Sequence, residues 1–269
     1  MSDTITPVAA VASLLRGSAG ICRFHHYPVV DSTNIRLKEM AENGAPEGTV
    51  ILADSQSQGK GCEGRPFFSP PGTGVYMSVL LRSIHPLPQA SLVTVAAAVA
   101  VSQAIEDVCA LETRIKWVND IFLGSKKVVG ILTESSLYHE SEQSDYAVLG
   151  IGINIFRPPA GFPDDLRGVA GCLYEREQDW DVRSALVAEV LNKFFVYFED
   201  LSDKSFISEY RRRSNILGRS IICREGEKSY AAQALDIDQD GGLVVRLEDG
   251  SVRTLSSGEV RIRPQNGYV

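Results

Sequence analysis

The chain has 269 residues, 44% hydrophobic and 23% charged, and its 27 Lys and Arg against 34 Asp and Glu give a formal charge of −7. That length fits one or two domains with a full buried core, and the acidic balance speaks against a general nucleic-acid binder, which needs a basic face. The five cysteines (Cys22, Cys62, Cys109, Cys172, Cys223) are scattered with no CxxC spacing, which reads as reduced thiols in a cytoplasmic protein without a zinc site.

Residues 1–20 read as an N-terminal extension. Its apolar run has no Lys or Arg before it, so it lacks the basic start of a signal peptide, and no helix-turn-helix precedes the first strand. "ICRFHHYPVV" (21–30) reads as a strand. "DSTN" (31–34) opens a helix, with Ser32 or Thr33 as cap and Gly44 as its stop. "TVILADSQ" (49–56) is a β-rich run leading into the glycine-rich loop "GKGCEGRPFFSP" (59–70). "GVYMSVLLR" (74–82) alternates with the strand period, with Val75, Met77, Val79 and Leu81 on one face.

A long Ala/Val helix is expected from about Pro88 to Val108. Its apolar part carries Gln103, Glu106 and Asp107 at its end, so it reads as a buried helix and not a membrane span. "RIKWVNDIFLGSKKVVGILTESS" reads as a strand, a hairpin at "GSKK" and a second strand. "DYAVLGIGINIF" (145–156) is a further strand, and its Gly150 and Gly152 suggest that something approaches the backbone closely. An amphipathic helix spans Asp181 to Asp200, and another covers "DKSFISEYRRRS", whose "RRR" (211–213) reads as a solvated helix end. From about Leu217 short strands alternate with turns such as "DQDGG" and "EDGS", the pattern of a small all-β domain.

Four pieces stand out: "DSTN", the stretch 56–82 with its glycine-rich loop, "KWVND" (116–120) with "KKVVGILTE" (126–134), and "GIGIN" (150–154). Each alone has a plain structural reading: a helix cap, a turn, a surface lysine, a bent strand. His25 and His26 fall in a strand and His85 and His139 in loops, and none pairs with a Ser or Cys as a nucleophile would need.

Together, in this order, the four pieces resemble the catalytic domain of the biotin protein ligase family. The resemblance runs from about residue 25 to the C-terminus. It implies an α+β fold: a central mixed β-sheet with packed helices, similar to class II synthetases (21–215), then an SH3-like β-domain (216–269). The implied activity joins biotin to ATP, giving biotinyl-5′-AMP and pyrophosphate, and then transfers biotin to a lysine of a biotin carboxyl carrier domain. The family's regulatory members carry a winged helix, for which residues 1–20 leave no room, so no specific DNA binding is expected. No membrane is expected either, and homodimerisation is left open.

By this resemblance Ser32, Thr33, Asn34, Gln56, Gly59, Lys60, Gly61, Cys62 and Lys127 contact biotin. Lys127, Lys60 and Arg65 are the catalytic cations, since a carboxylate attacking a phosphate brings two anions together. Phe67 takes the place of a tryptophan against the adenine, alongside its equal reading as a loop anchor, and Lys116, Asn119, Asp120, Gly130, Ile131 and Asn154 complete the nucleotide site. Mg²⁺ is expected on the departing phosphates; no dedicated cage is evident, and Asp120 is the carboxylate nominated for it, alongside its equal reading as a cap.

The loop departs from the family's Gly-Arg-Gly-Arg-Arg-Gly-Arg pattern. Lys60, Cys62 and Glu63 stand at three of its arginine positions and only Arg65 is kept, so a weaker hold on an anionic adenylate is expected. Val118 also replaces the family's proline in "KWVND". Two rivals stay open. One is a lipoate ligase or octanoyltransferase, although the "RRxxGGG" loop of that group is absent. The other is a biotin- or nucleotide-binding regulatory protein that has lost catalysis.

Overall fold

A computed structural model describes residues 6–82, 90–136, 146–226, 228–256 and 258–262, without the side chains of Glu63 and Ala90. The expected helix start at Pro88 and the loop histidines His85 and His139 fall outside these residues.

In chain order the elements are α1 (Val8–Ser13), β1 (Arg23–Tyr27), α2 (Thr33–Glu42), β2 (Thr49–Ala53), β3 (Gly74–Arg82), α3 (Ala90–Cys109), β4 (Arg114–Lys116), β5 (Asp120–Leu123), β6 (Lys126–Ser136), β7 (Tyr146–Asn154), α4 (Val182–Glu199) and α5 (Ser205–Arg213). Then come β8 (Ser220–Glu225), β9 (Lys228–Ile237), β10 (Leu243–Leu247), β11 (Val252–Leu255) and β12 (Glu259–Ile262). The first seven strands form one sheet in the order β1-β2-β3-β7-β6-β5-β4, and the last five form a second, β11-β10-β9-β8-β12. Only the β1–β2 pair of the large sheet is parallel, because α2 crosses between those strands; the other neighbours are antiparallel.

Side chains alternate along a strand, and β3 sits mid-sheet, so both of its faces are covered. Val75, Met77, Val79 and Leu81 share one core with α3 and α4, while Leu80 joins Leu37, Ala41, Ile51, Tyr146 and Val148 under α2. The apolar stretch Ser91–Cys109 is long and apolar enough to cross a membrane by length and composition, but 78% of it is buried in the protein.

Three local expectations need correction. "RIKWVNDIFL" is two antiparallel strands, β4 and β5, folded back at Trp117–Asn119, where the Trp117–Val118 peptide is cis. Ser32 is the N-cap of α2 by backbone geometry only: neither it nor Thr33 caps through its side chain, and Ser32's amide donates to Asp31 Oδ1 at 2.7 Å. The "RRR" run is not a solvated helix end. Successive helix positions point about 100° apart, so the three arginines meet different surroundings. Arg213 is 3% exposed and pairs with Glu106 and Glu209; Arg212 pairs with Glu209, and Arg211 donates to Ile237 O of the small sheet.

Candidate functional site

On the α2 side of the sheet, β7 presents Tyr146, Val148, Gly150 and Gly152. The first two pack under the helix. At the two glycines the side chains stop and other groups move in. A Cβ at 150 would collide with Asn34 Oδ1, and one at 152 with the ring of Phe67. A Cβ at Gly130 of β6 would lie 2.9 Å from that ring. The close approach expected from "GIGIN" is thus made by Asn34 and Phe67.

A buried polar chain begins at the start of α2. The amide of Thr33 donates to Gln56 Oε1 at 2.8 Å, and Gln56 Nε2 donates to Ser69 Oγ at 2.9 Å. Ser78 Oγ lies 2.7 Å from Thr33 Oγ1 and 2.6 Å from Asn34 Oδ1. Asn34 Nδ2 donates to Glu134 Oε2 at 2.8 Å, and Lys38 Nζ to Glu134 Oε1 at 2.5 Å. Burial alone would raise the Glu134 carboxyl, but the hydrogen bonds from Lys38 and Asn34, then the charges of Lys38 and Lys60, outweigh it and hold the group below its ordinary value. Ser78 and Glu134 escaped the sequence reading. The visible trace of Ser78 is a lone serine in an otherwise apolar strand; Glu134 has nothing to set it apart from any acid near a strand end.

The glycine-rich loop closes on itself. Phe67 N donates to Gly59 O and Gly61 N to Arg65 O, both at 2.7 Å, and residues 62–64 form a short 3₁₀ turn at the tip. Gly59 is buried, Gly61 and Cys62 are half-buried, and Lys60 and Arg65 are exposed. Cys62 Sγ lies 3.0 Å from Asn119 Nδ2, which also donates to Ile131 O at 2.7 Å. The "KWVND" turn, the middle of β6 and this loop therefore meet.

At that meeting Lys127 Nζ is 2.5 Å and Lys116 Nζ 4.0 Å from the carboxylate of Asp120. Burial pushes the Lys116 ammonium below the usual lysine value; Asp120 and Glu259 oppose this, while Lys127 and Arg261 reinforce it. Arg65 Nη1 reaches Glu259 of β12 at 3.2 Å, and Arg261 lies 3.3 Å from the same carboxylate. The cations Lys116, Lys127, Arg65 and Arg261 outnumber Asp120 and Glu259 by two charges, in a chain whose net charge is −7. Such a surplus suits a polyanion. Asn154 reaches this group through Gly171: its Nδ2 donates to Gly171 O at 3.0 Å, and Gly171 N donates to Lys127 O at 2.8 Å.

The turn is gripped from outside as well. Trp117 Nε1 donates to Gly241 O at 2.9 Å, and the fully buried Tyr210 hydroxyl donates to Val118 O at 3.1 Å. No group of three or more His, Cys, Asp or Glu gathers as a metal site among the described residues, and Asp120 is occupied by the two lysines. A protein cage for Mg²⁺ does not fit here.

Residues 27–154 match the biotin/lipoate A/B protein ligase family, and residues 216–263 match the biotin protein ligase C-terminal domain. The bifunctional ligase/repressor BirA of Bacillus subtilis is 33% identical over 240 residues, 88% of this chain and 73% of that protein. A biotin–[acetyl-CoA-carboxylase] ligase of Paracoccus denitrificans is 30% identical over 226 residues, 80% of this chain and 91% of that one. Among solved structures, a biotin protein ligase from Aquifex aeolicus in complex with biotin and ATP aligns with a TM-score of 0.74 at 28% identity, over 90% of this chain and 98% of that chain. Two matched segments in the expected order, and relatives spanning nearly the whole fold, lead to one conclusion: the chain belongs to the biotin protein ligase family.

Proposed function

We propose that this ligase forms biotinyl-5′-AMP from biotin and ATP and passes the biotinyl group to a lysine of a carboxyl carrier domain. The observation that carries the reading is the surplus of cations around Asp120 and Glu259, set beside a buried polar chain that suits a neutral ureido ring. Biotin lies with its ureido head at Ser32, Thr33 and Gln56 and its carboxylate towards Lys127. ATP lies across the "KWVND" turn with its phosphates among Lys116, Lys127 and Arg65, and Phe67 against its base.

The first step forms a bond from a biotin carboxylate oxygen to the α-phosphorus, and the α–β bridging oxygen leaves with pyrophosphate. Lys127 neutralises both reacting anions, which otherwise repel. It is held ready by Asp120, so little reorganisation is needed at the moment of reaction. In the second step the carrier's lysine amine attacks the acyl carbon, the bond to the phosphate oxygen breaks, AMP leaves and the amine loses a proton. No side chain here acts as a nucleophile; the work is placement and charge. Magnesium arrives on the phosphates of ATP, as part of the substrate. Five free cysteines accord with a reduced, cytoplasmic setting.

The test mixes pure protein with biotin and ATP, follows pyrophosphate release, and then adds a carrier domain and reads its biotinylation. Release that requires biotin, followed by labelling of one carrier lysine, is expected. Biotin binding without pyrophosphate release overturns the ligase in favour of a binding protein.

A further inference from the structure

The polar chain behind Thr33 has a direction. A carboxylate has no hydrogen to give, so only the amide nitrogen of Asn34 can face Glu134, 2.8 Å away. That turns Asn34 Oδ1 towards Ser78, whose single hydrogen is then committed to it at 2.6 Å. Towards Thr33 Oγ1, 2.7 Å away, Ser78 offers only lone pairs, and so does Gln56 Oε1 at 3.2 Å. The Thr33 hydrogen therefore points into the protein, and its oxygen lone pairs are left for whatever sits against it. Hydrogen bonds aligned in series towards a negative charge strengthen one another.

We infer that Glu134, anchored by Lys38, is a positioning residue that sets the direction of donation from Thr33 through Ser78 and Asn34. Thr33 then meets the ligand as an acceptor and selects a ring N–H over a ring oxygen. The inference rests on the reading that this pocket takes biotin. Neither Glu134 nor Lys38 touches reacting atoms; they act through three intervening side chains.

Glu134→Gln tests it. The single amide oxygen of the new side chain stays with the Lys38 ammonium, 2.5 Å from the present carboxylate, so the amide nitrogen faces Asn34 and turns it round. Ser78 then receives from Asn34 and donates to Thr33, which loses a lone pair to the chain. Calorimetry compares biotin with its two ring-carbamate analogues, each having one ring N–H replaced by O. Wild type prefers biotin, and at one of the two positions Glu134→Gln lowers that preference by roughly tenfold, the worth of one hydrogen bond. Turnover at saturating biotin holds, so the change falls on KM and not on kcat. The Lys38→Met, Glu134→Gln double variant regains the preference, because its Gln can again offer oxygen to Asn34. A wild type that binds biotin and both carbamates alike overturns the inference, as does a Glu134→Gln variant whose preference stays within about twofold of wild type. A wild type that binds no biotin overturns the reading of the pocket instead.

Discussion

The two ends of the site are held by different forces. At the α2 end Thr33, Asn34 and Ser78 are at most 4% exposed, and hydrogen bonds join them to one another, to Gln56 and to Glu134 before any ligand arrives. At the loop end the Arg65 side chain is 54% exposed and is tied by charge to a residue of the other sheet. Buried hydrogen bonds of this kind keep their geometry and scarcely feel salt. Exposed charges are screened, and such a pair is worth about 0–1 kcal/mol. On the proposed reading, one end is thus shaped for its ligand in advance, and the other is completed by a polyanion.

The largest break of this contrast is Lys127→Ala. It removes the charge proposed to meet both reactants, and kcat for pyrophosphate release should fall by about 10²–10³, the scale for losing one preorganised contact to developing charge. Circular dichroism should show the fold unchanged, since Lys116 remains beside Asp120. A variant that keeps more than half of the wild-type rate would remove Lys127 from the mechanism.

Next comes the Cys62→Arg, Glu63→Arg double variant, which restores two basic positions at the loop tip. One regained charged hydrogen bond is worth about 1.5–3 kcal/mol, so a double variant that gains one such bond should release biotinyl-adenylate roughly 10- to 150-fold more slowly. Self-biotinylation without carrier should drop with it, read by filter retention and avidin blot. An unchanged off-rate would mean that the loop holds its ligand by backbone amides alone.

Gly150→Ala probes the buried end. Its methyl group meets Asn34, and forcing a group into a packed site costs about 1–3 kcal/mol. Biotin affinity should fall by about tenfold while KM for ATP holds. Equal losses for both substrates would erase the division into two ends.

The smallest effect is expected from Glu259→Ala, which takes one partner from Arg65. KM for ATP should shift by no more than about fivefold, the size of a surface pair. That shift should shrink as sodium chloride is raised, with biotin affinity unmoved. A loss of biotin affinity would place β12 at the wrong end of the site.

Much of this was legible in the chain. Alternation in "GVYMSVLLR" fixed which face of β3 meets α3, and the strand glycines pointed to a close approach that Asn34 and Phe67 make. Local patterns failed where partners are distant. Nothing near "RRR" reveals that Arg213 finds Glu106, 107 residues away, or that Arg65 finds Glu259. "KWVND" hid a reversal because its apolar residues suit a strand equally well; what bends it is a grip on Trp117 and Val118 by Gly241 and Tyr210, which no window of sequence contains.

The attachment of the loop to β12 also sets an order of events. Arg65 and Glu259 are separated by 194 positions, and Trp117 and Gly241 by 124. During synthesis the polar chain at α2 has all its parts once β7 has emerged, whereas the cation cluster proposed to take the nucleotide is complete only with β12.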